Sequence, residues 1–225
     1  AGEVPKSPHL AIFDPYGDYE YQTNDPKNRG FAGKRVYHYT TRKDFARAFA
    51  AAWQSKKPFR VAYKPDKPSR DEMLWFCDLM WLAGDGNRRL DVVIEELAKW
   101  CDSSGKEQSI LGECLTGGRK FGLVMHTVFQ RSTEVPKTIL SQSPFKYVGK
   151  QPSRADAKRM AAECEIDIED ILNLSALMFY KKGEQIVDVW AVDLRYLFDG
   201  MMTRTKPVLL STIKAEQAKQ TVLRA

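Results

Sequence analysis

The residues of this chain best suited to chemistry are two adjacent carboxylates and a Gln–Arg pair. Glu95 and Glu96 close the run Leu90–Glu96 (LDVVIEE), and Gln130 and Arg131 lie near the end of Gly118–Ser132 (GRKFGLVMHTVFQRS). Both segments read as apolar strands that deliver polar side chains at their carboxyl ends. Such a set suits phosphoryl transfer. One carboxylate can hold a divalent cation, the second can polarise an attacking water, and an amide can orient that water or sense a terminal phosphate. The competing reading of Glu95–Glu96 is the opening of a solvated helix, where negative charge is favoured. Four apolar-rich residues leading straight into the pair favour the chemical role.

The elements that would position these groups alternate. Leu10–Asp14, Val36–Thr40, Phe59–Tyr63, Leu90–Glu95, Gly122–Phe129 and Phe145–Gly149 read as strands. Between them stand helical patterns. Residues 43–55 carry Phe45, Phe49 and Trp53 on one face, opened by Thr41 with Asp44 in a capping box. Ser69 with Glu72 opens EMLWFCDLMWLAG, Lys106–Cys114 and Pro136–Gln142 follow, and Ser153 with Asp156 opens RADAKRMAAEC before the turn DIEDILNL. Leu177–Lys181 and Gln185–Val192 form a hairpin pattern through Lys182–Gly183–Glu184. The expected fold class is α/β, with a mostly parallel central sheet flanked by helices on both faces, then a C-terminal hairpin and tail. Residues 1–200 form the expected core and 201–225 a basic, helix-prone arm. Ligands on such sheets bind at the carboxyl ends of the strands, which gathers Asp14, Glu95, Glu96 and Gln130 along one edge.

Composition bounds the partners. Among 225 residues the net charge is +6, which permits a polyanion partner and equally a solvated surface. Cys77, Cys101, Cys114 and Cys164 have no C-x-x-C spacing, and His9, His38 and His126 complete no zinc pattern, so buried thiols in a reducing compartment are expected. His126, inside an apolar strand, reads as a satisfied core histidine. There is no apolar run of membrane-spanning length and no secretory signal.

In order and spacing these segments resemble the additional-strand P-loop ATPases of the FtsK–HerA superfamily, nearest in likeness to the genome-packaging ATPases of membrane-containing, double-jelly-roll viruses. IFDPYGDY (residues 12–19) is similar to the strand-two signature hhhDPxGEY, and LDVVIEE to the Walker B strand. GGRKFGLVMHTVFQRSTEVP resembles the arginine-bearing turn, sensor strand and Gln–Arg segment, and FKYVGKQPSRADAKRM the last core strand with its helix. The likeness covers residues 9–165. It departs from the family twice. No G-x-x-x-x-G-K-[ST] phosphate loop is present; Gly30–Arg35 (GFAGKR) has the wrong glycine spacing and lacks the Mg²⁺-binding hydroxyl. Glu95 stands where the family carries aspartate, reaching about one methylene further. Since the family's phosphate loop precedes the strand-two signature, a strand–loop–helix unit of roughly 30 residues is expected to be omitted upstream of residue 1. Otherwise the hairpin at 177–192 must fill its place in the sheet.

The resemblance implies ATP and Mg²⁺ as cofactors. It implies Glu96 as general base, Glu95 as Mg²⁺ ligand through water, Gln130 as γ-phosphate sensor, and Arg119 as arginine finger toward a neighbouring subunit, with Arg131 the second choice. Asp14 is a further candidate at the nucleotide site, better suited to fixing its turn. The implied activity is ATP-driven translocation of double-stranded DNA by a homo-oligomeric ring, pentameric or hexameric. That ring would dock on viral vertex or portal proteins in host cytoplasm and assembling virion, without a direct membrane span. A second hypothesis is a non-catalytic structural relative that keeps the sheet and the oligomer contacts but binds no nucleotide. A third is a conjugative or chromosome-partitioning pump, which the small size and lack of a membrane segment oppose.

Overall fold

The computed structural model describes residues 8–22, 30–31, 33–175, 178–183, 187–191 and 208–209. The chain divides into two compact units, Ala1–Gln142 and Ser143–Ala225.

The first unit holds β1 (His9–Phe13), β2 (Tyr37–Tyr39), α1 (Arg42–Ser55), β3 (Phe59–Tyr63), α2 (Arg70–Ala83), β4 (Leu90–Ile94), α3 (Ile110–Gly117), β5 (Leu123–Thr127) and α4 (Lys137–Ser141). Its strands form one sheet in the order β2-β3-β1-β4-β5, every neighbour parallel. The expected α/β class with a mostly parallel central sheet and helices is what the chain adopts. β1 and β4 are buried at every position, as central strands of a parallel sheet must be.

Topology decides what covers each face. The connections β2→β3, β3→β4 and β4→β5 all step the same way across the sheet. Right-handed crossovers therefore place α1, α2 and α3 on one face. There Phe45, Phe49, Trp53, Met73, Phe76, Met80, Leu111 and Cys114 pack on Ala11, Phe13, Val61, Tyr63, Val92 and Ile94. Only the connection from β1 to β2 steps back. On the second face Leu10, Ile12, Ala62 and Val93 lie under Tyr19, Phe31 and Val36 of that connection. Tyr19, Phe31 and Val36 thus cover part of that face where no helix of the unit does.

The caps form as their residues predict. The side chains of Thr41, Ser69 and Ser153 accept from the backbone N–H groups of Asp44, Glu72 and Asp156. α3 begins later than the predicted Lys106 because Ser109 is its cap, while the Glu107 carboxylate accepts from the Ser109 N–H and from Arg70.

Glu72 also ties α2 to the sheet. Its carboxylate accepts from Arg42 Nε at 2.8 Å and from the Tyr63 hydroxyl at 2.5 Å. The Arg42 bond, opposed by partial burial and aided by Tyr63, holds Glu72 below the usual carboxylate range. A depressed folded value means the unfolded chain binds the proton first. The contribution is present above the unfolded value and disappears as pH falls through the folded one. Glu72→Gln is therefore expected to be less stable than wild type at neutral pH. Urea denaturation at stepped pH should show that gap closing in acid.

The second unit holds β6 (Lys146–Gly149), α5 (Arg154–Cys164), α6 (Ile168–Leu172), β7 (Met178–Lys182), β8 (Val187–Ala191) and β9 (Val208–Leu209). Its four strands form an antiparallel sheet in the order β6-β7-β8-β9. Two expectations change here. The segment read as the last strand of the parallel sheet pairs instead with β7, setting buried Val148 opposite buried Tyr180. The hairpin of β7 and β8 fills no gap in the parallel sheet, whose five strands pair without interruption. Of the predicted arm at 201–225, Val208 and Leu209 pair with β8; the rest lies outside the described residues.

Candidate functional site

The carboxyl ends of β1 and β4 are held together by backbone bonds that run past the strands. The Glu95 N–H donates to the Phe13 carbonyl (3.1 Å), Val128 N–H to Ile94 (2.9 Å), and Leu97 N–H to Val128 (2.9 Å). The Trp100 indole N–H donates to the Glu95 carbonyl at 3.0 Å. Glu95, Glu96 and the segment leading to Gln130 are thus placed by the sheet itself.

The two adjacent glutamates meet different surroundings. Glu95 is 7% exposed and accepts a hydrogen bond from the Tyr19 hydroxyl. Burial pushes its carboxyl above the usual range; the Tyr19 bond works against that, and the nearby charges of Asp18 and Asp14 add to it. Glu96 turns the other way. Its backbone is left-handed, with φ 52° and ψ 39°, and its half-exposed carboxylate accepts from Gln130 Nε2 at 2.7 Å. For a non-glycine residue that conformation costs of order 1 kcal/mol. It swings Glu96 out of the strand's alternation and toward Gln130.

Asp14 is fully buried, and both its oxygens are engaged. Oδ1 accepts from the Asp18 N–H (2.9 Å), Oδ2 from the Tyr19 N–H (3.1 Å), and His38 Nε2 lies 2.8 Å from Oδ2. Asp14 therefore fixes the DPYGDY turn. Asp18 projects into the same acidic edge; burial, then the charges of Asp14 and Glu96, raise its carboxyl above the ordinary value.

Asp14, Glu95, Glu96 and Gln130 are therefore brought to one edge. Arg131 follows Gln130 and pairs with Glu134 at 2.6 Å. Arg119 is separate: it is exposed on a single 3-10 turn, Gly118–Phe121, which precedes β5. A five-residue strand spans about 16 Å, so Arg119 stands at the amino end of the sheet, away from Glu96 of its own chain.

Sequence reasoning passed over three residues. Tyr19 joins the site from the turn after β1 and His38 from β2; the terminal tyrosine of the strand-two signature was the one available signal. Asp91 is a fully buried carboxylate inside an apolar run. Arg89 donates to it at 2.7 and 2.9 Å, and His126 Nε2 lies 2.7 Å away. Four residues before Glu95, it belongs to the strand's packing rather than to the edge.

The edge offers oxygen donors, the set a hard cation prefers. Among the described residues no three His, Cys, Asp or Glu side chains form a closed metal cage.

The five-stranded all-parallel sheet, with helices packed on one face and acids and an amide at its strands' carboxyl ends, is an α/β fold of the P-loop NTPase-like class. Solved structures share it. The genome-packaging NTPase B204 of Sulfolobus turreted icosahedral virus 2, bound to ATPγS, superposes with a TM-score of 0.55 at 13% identity, over 89% of this chain and 83% of that one. The DNA-packaging ATPase B204 of Sulfolobus turreted icosahedral virus gives 0.52 at 14% identity over the same shares. In sequence, protein P9 of Pseudoalteromonas phage PM2 is 28% identical over 108 residues, 48% of this chain and 49% of that protein. The match thus spans about half the length of this relative. No protein-family model matches the chain.

Proposed function

We propose that this chain is the core of an ATP-driven double-stranded DNA translocase of the FtsK–HerA type that packages a viral genome as a ring. The observation that carries the reading is the pairing of Glu96 with Gln130 at 2.7 Å, beside buried Glu95, at the carboxyl edge of a parallel sheet. The fold likeness to packaging NTPases, one solved with an ATP analogue, and the partial likeness to the phage protein support it.

In this reading Glu96 accepts the proton of the water that attacks the γ-phosphate. Gln130, bonded to Glu96, places that water. Glu95 would hold Mg²⁺, whose charge stabilises the phosphate oxygens when bound. Arg119, remote from its own Glu96, acts on the nucleotide of the next subunit. Arg131 is the alternative, and its pairing with Glu134 makes it the weaker candidate. The net charge of +6 suits sequence-independent contact with DNA phosphates.

The test is ATP hydrolysis by the purified protein with and without double-stranded DNA, across Mg²⁺ concentrations. Hydrolysis stimulated by DNA is expected. Arg119→Ala should lower it by about 10³-fold without changing the melting temperature. Mixing Arg119→Ala with Glu96→Gln should restore part of the activity, because one intact shared site then forms between unlike subunits. Absence of recovery on mixing would exclude the shared site.

The second reading, a structural relative that oligomerises without nucleotide, is favoured by Glu95, which stands where the resembled family carries aspartate and is buried against Tyr19. Equilibrium dialysis with labelled ATPγS separates the two: no retained nucleotide supports the structural relative.

A further inference from the structure

Two neighbouring carboxylates can serve different roles only if something distinguishes them. Here the distinction is made by the turn after β1. Tyr19, 76 residues away in sequence, places its hydroxyl on Glu95. Tyr19 is itself 8% exposed, packed on Phe31 with ring centroids 5.4 Å apart, within the cluster of Leu10, Ile12 and Val93. Its backbone N–H is anchored on Asp14, which His38 meets from the middle of β2. Ring, backbone and hydroxyl are all fixed, so the hydroxyl is a rigid reference point.

We infer that Tyr19 is the positioning residue for Glu95: the chain His38–Asp14–Tyr19 holds this carboxylate at the carboxyl end of β4 and commits it to the metal, leaving Glu96 free for water. The inference rests on the proposed nucleotide function and deepens it. The hydroxyl occupies one carboxylate oxygen, so the group approaches a cation in one orientation. Without it, Glu95 regains rotamer freedom and meets the cation in several arrangements. Partners of this kind behind a metal-binding carboxylate typically change metal affinity 10–100-fold. Tyr19 does not touch the reacting atoms; its effect passes through Glu95. His38 and Asp14 act one step further back by fixing the tyrosine.

The test uses Tyr19→Phe, Glu95→Ala and the double variant of the full chain. Mn²⁺ binding in the presence of ATPγS, read by electron paramagnetic resonance, is the first measurement. Thermal melting of all four proteins is the second. Tyr19→Phe keeps the ring packing and loses only the hydroxyl. It is expected to weaken Mn²⁺ binding by at least about 10-fold. The double variant should melt no lower than Glu95→Ala alone, because the hydroxyl then has no partner to lose. Unchanged Mn²⁺ affinity in Tyr19→Phe, beside a wild type that binds it, would overturn the positioning role even if the melting effects are coupled. Additive melting effects would overturn the contact itself. Wild type that takes up neither Mn²⁺ nor ATPγS would instead overturn the nucleotide reading, while the melting cycle would still decide whether Tyr19 holds Glu95.

Discussion

Glu96→Gln is expected to reduce ATP hydrolysis by about 10²–10⁴-fold, the range that a general base supplies, while leaving the fold at wild-type stability. The substitution keeps the size of the side chain and a hydrogen-bonding oxygen for Gln130. What it removes is the capacity to take a proton. Glu96→Gly should be equally inactive yet more stable, by roughly 0.5–1 kcal/mol, because glycine adopts the left-handed backbone at φ 52° without penalty. A variant that gains stability as it loses activity would show that the strain serves the chemistry. Steady-state hydrolysis with urea unfolding on the same preparations measures both. Retained hydrolysis in Glu96→Gln would remove Glu96 from the mechanism.

The largest effect on stability is expected from Phe13→Ala, a loss of about 3–5 kcal/mol. Phe13 is fully buried at the end of β1 and meets Tyr63, Phe76 and Trp100 at centroid distances of 6.2, 5.9 and 5.8 Å. Truncation opens a cavity between the sheet, α2 and the turn after Glu96. Its backbone carbonyl also accepts the Glu95 N–H, and Trp100 holds the Glu95 carbonyl. The damage should therefore reach the site before the protein unfolds. Chemical denaturation gives the first effect. Loss of Mn²⁺ binding at denaturant concentrations where the fold persists gives the second. Tyr16→Ala, at a half-exposed position in the DPYGDY turn after β1, serves as the control with little stability change.

Much of the fold was legible because local signals and tertiary demands agree. The stripe of Phe45, Phe49 and Trp53 lies on the buried face of α1, and its cap is Thr41. The apolar runs at β1 and β4 are buried along their whole length. The destination of 145–149 was less legible. Period and composition mark a strand but do not say which partner it takes, and pairing with β7 was decided by contacts distant in sequence. Asp91 was hidden for a similar reason. A carboxylate in an apolar run reads as an interruption until Arg89 and His126 are seen around it.

For the site, sequence by itself determined which groups are present and that they end strands: an acid pair after an apolar run, an amide after another, and an aspartate opening a turn. Strand alternation and the carboxyl-end rule for parallel sheets follow from backbone geometry, so they can be read from one dimension. Only the tertiary structure decided that the two glutamates are unlike. Glu95 is buried against Tyr19, Glu96 turns out to Gln130, and Arg119 stands at the opposite end of the sheet. The physical reason is that burial and hydrogen-bond partners belong to the packed surroundings of a residue. For Glu95 those surroundings were set by Tyr19 in the turn after β1, and for Glu96 by Gln130 beyond β5.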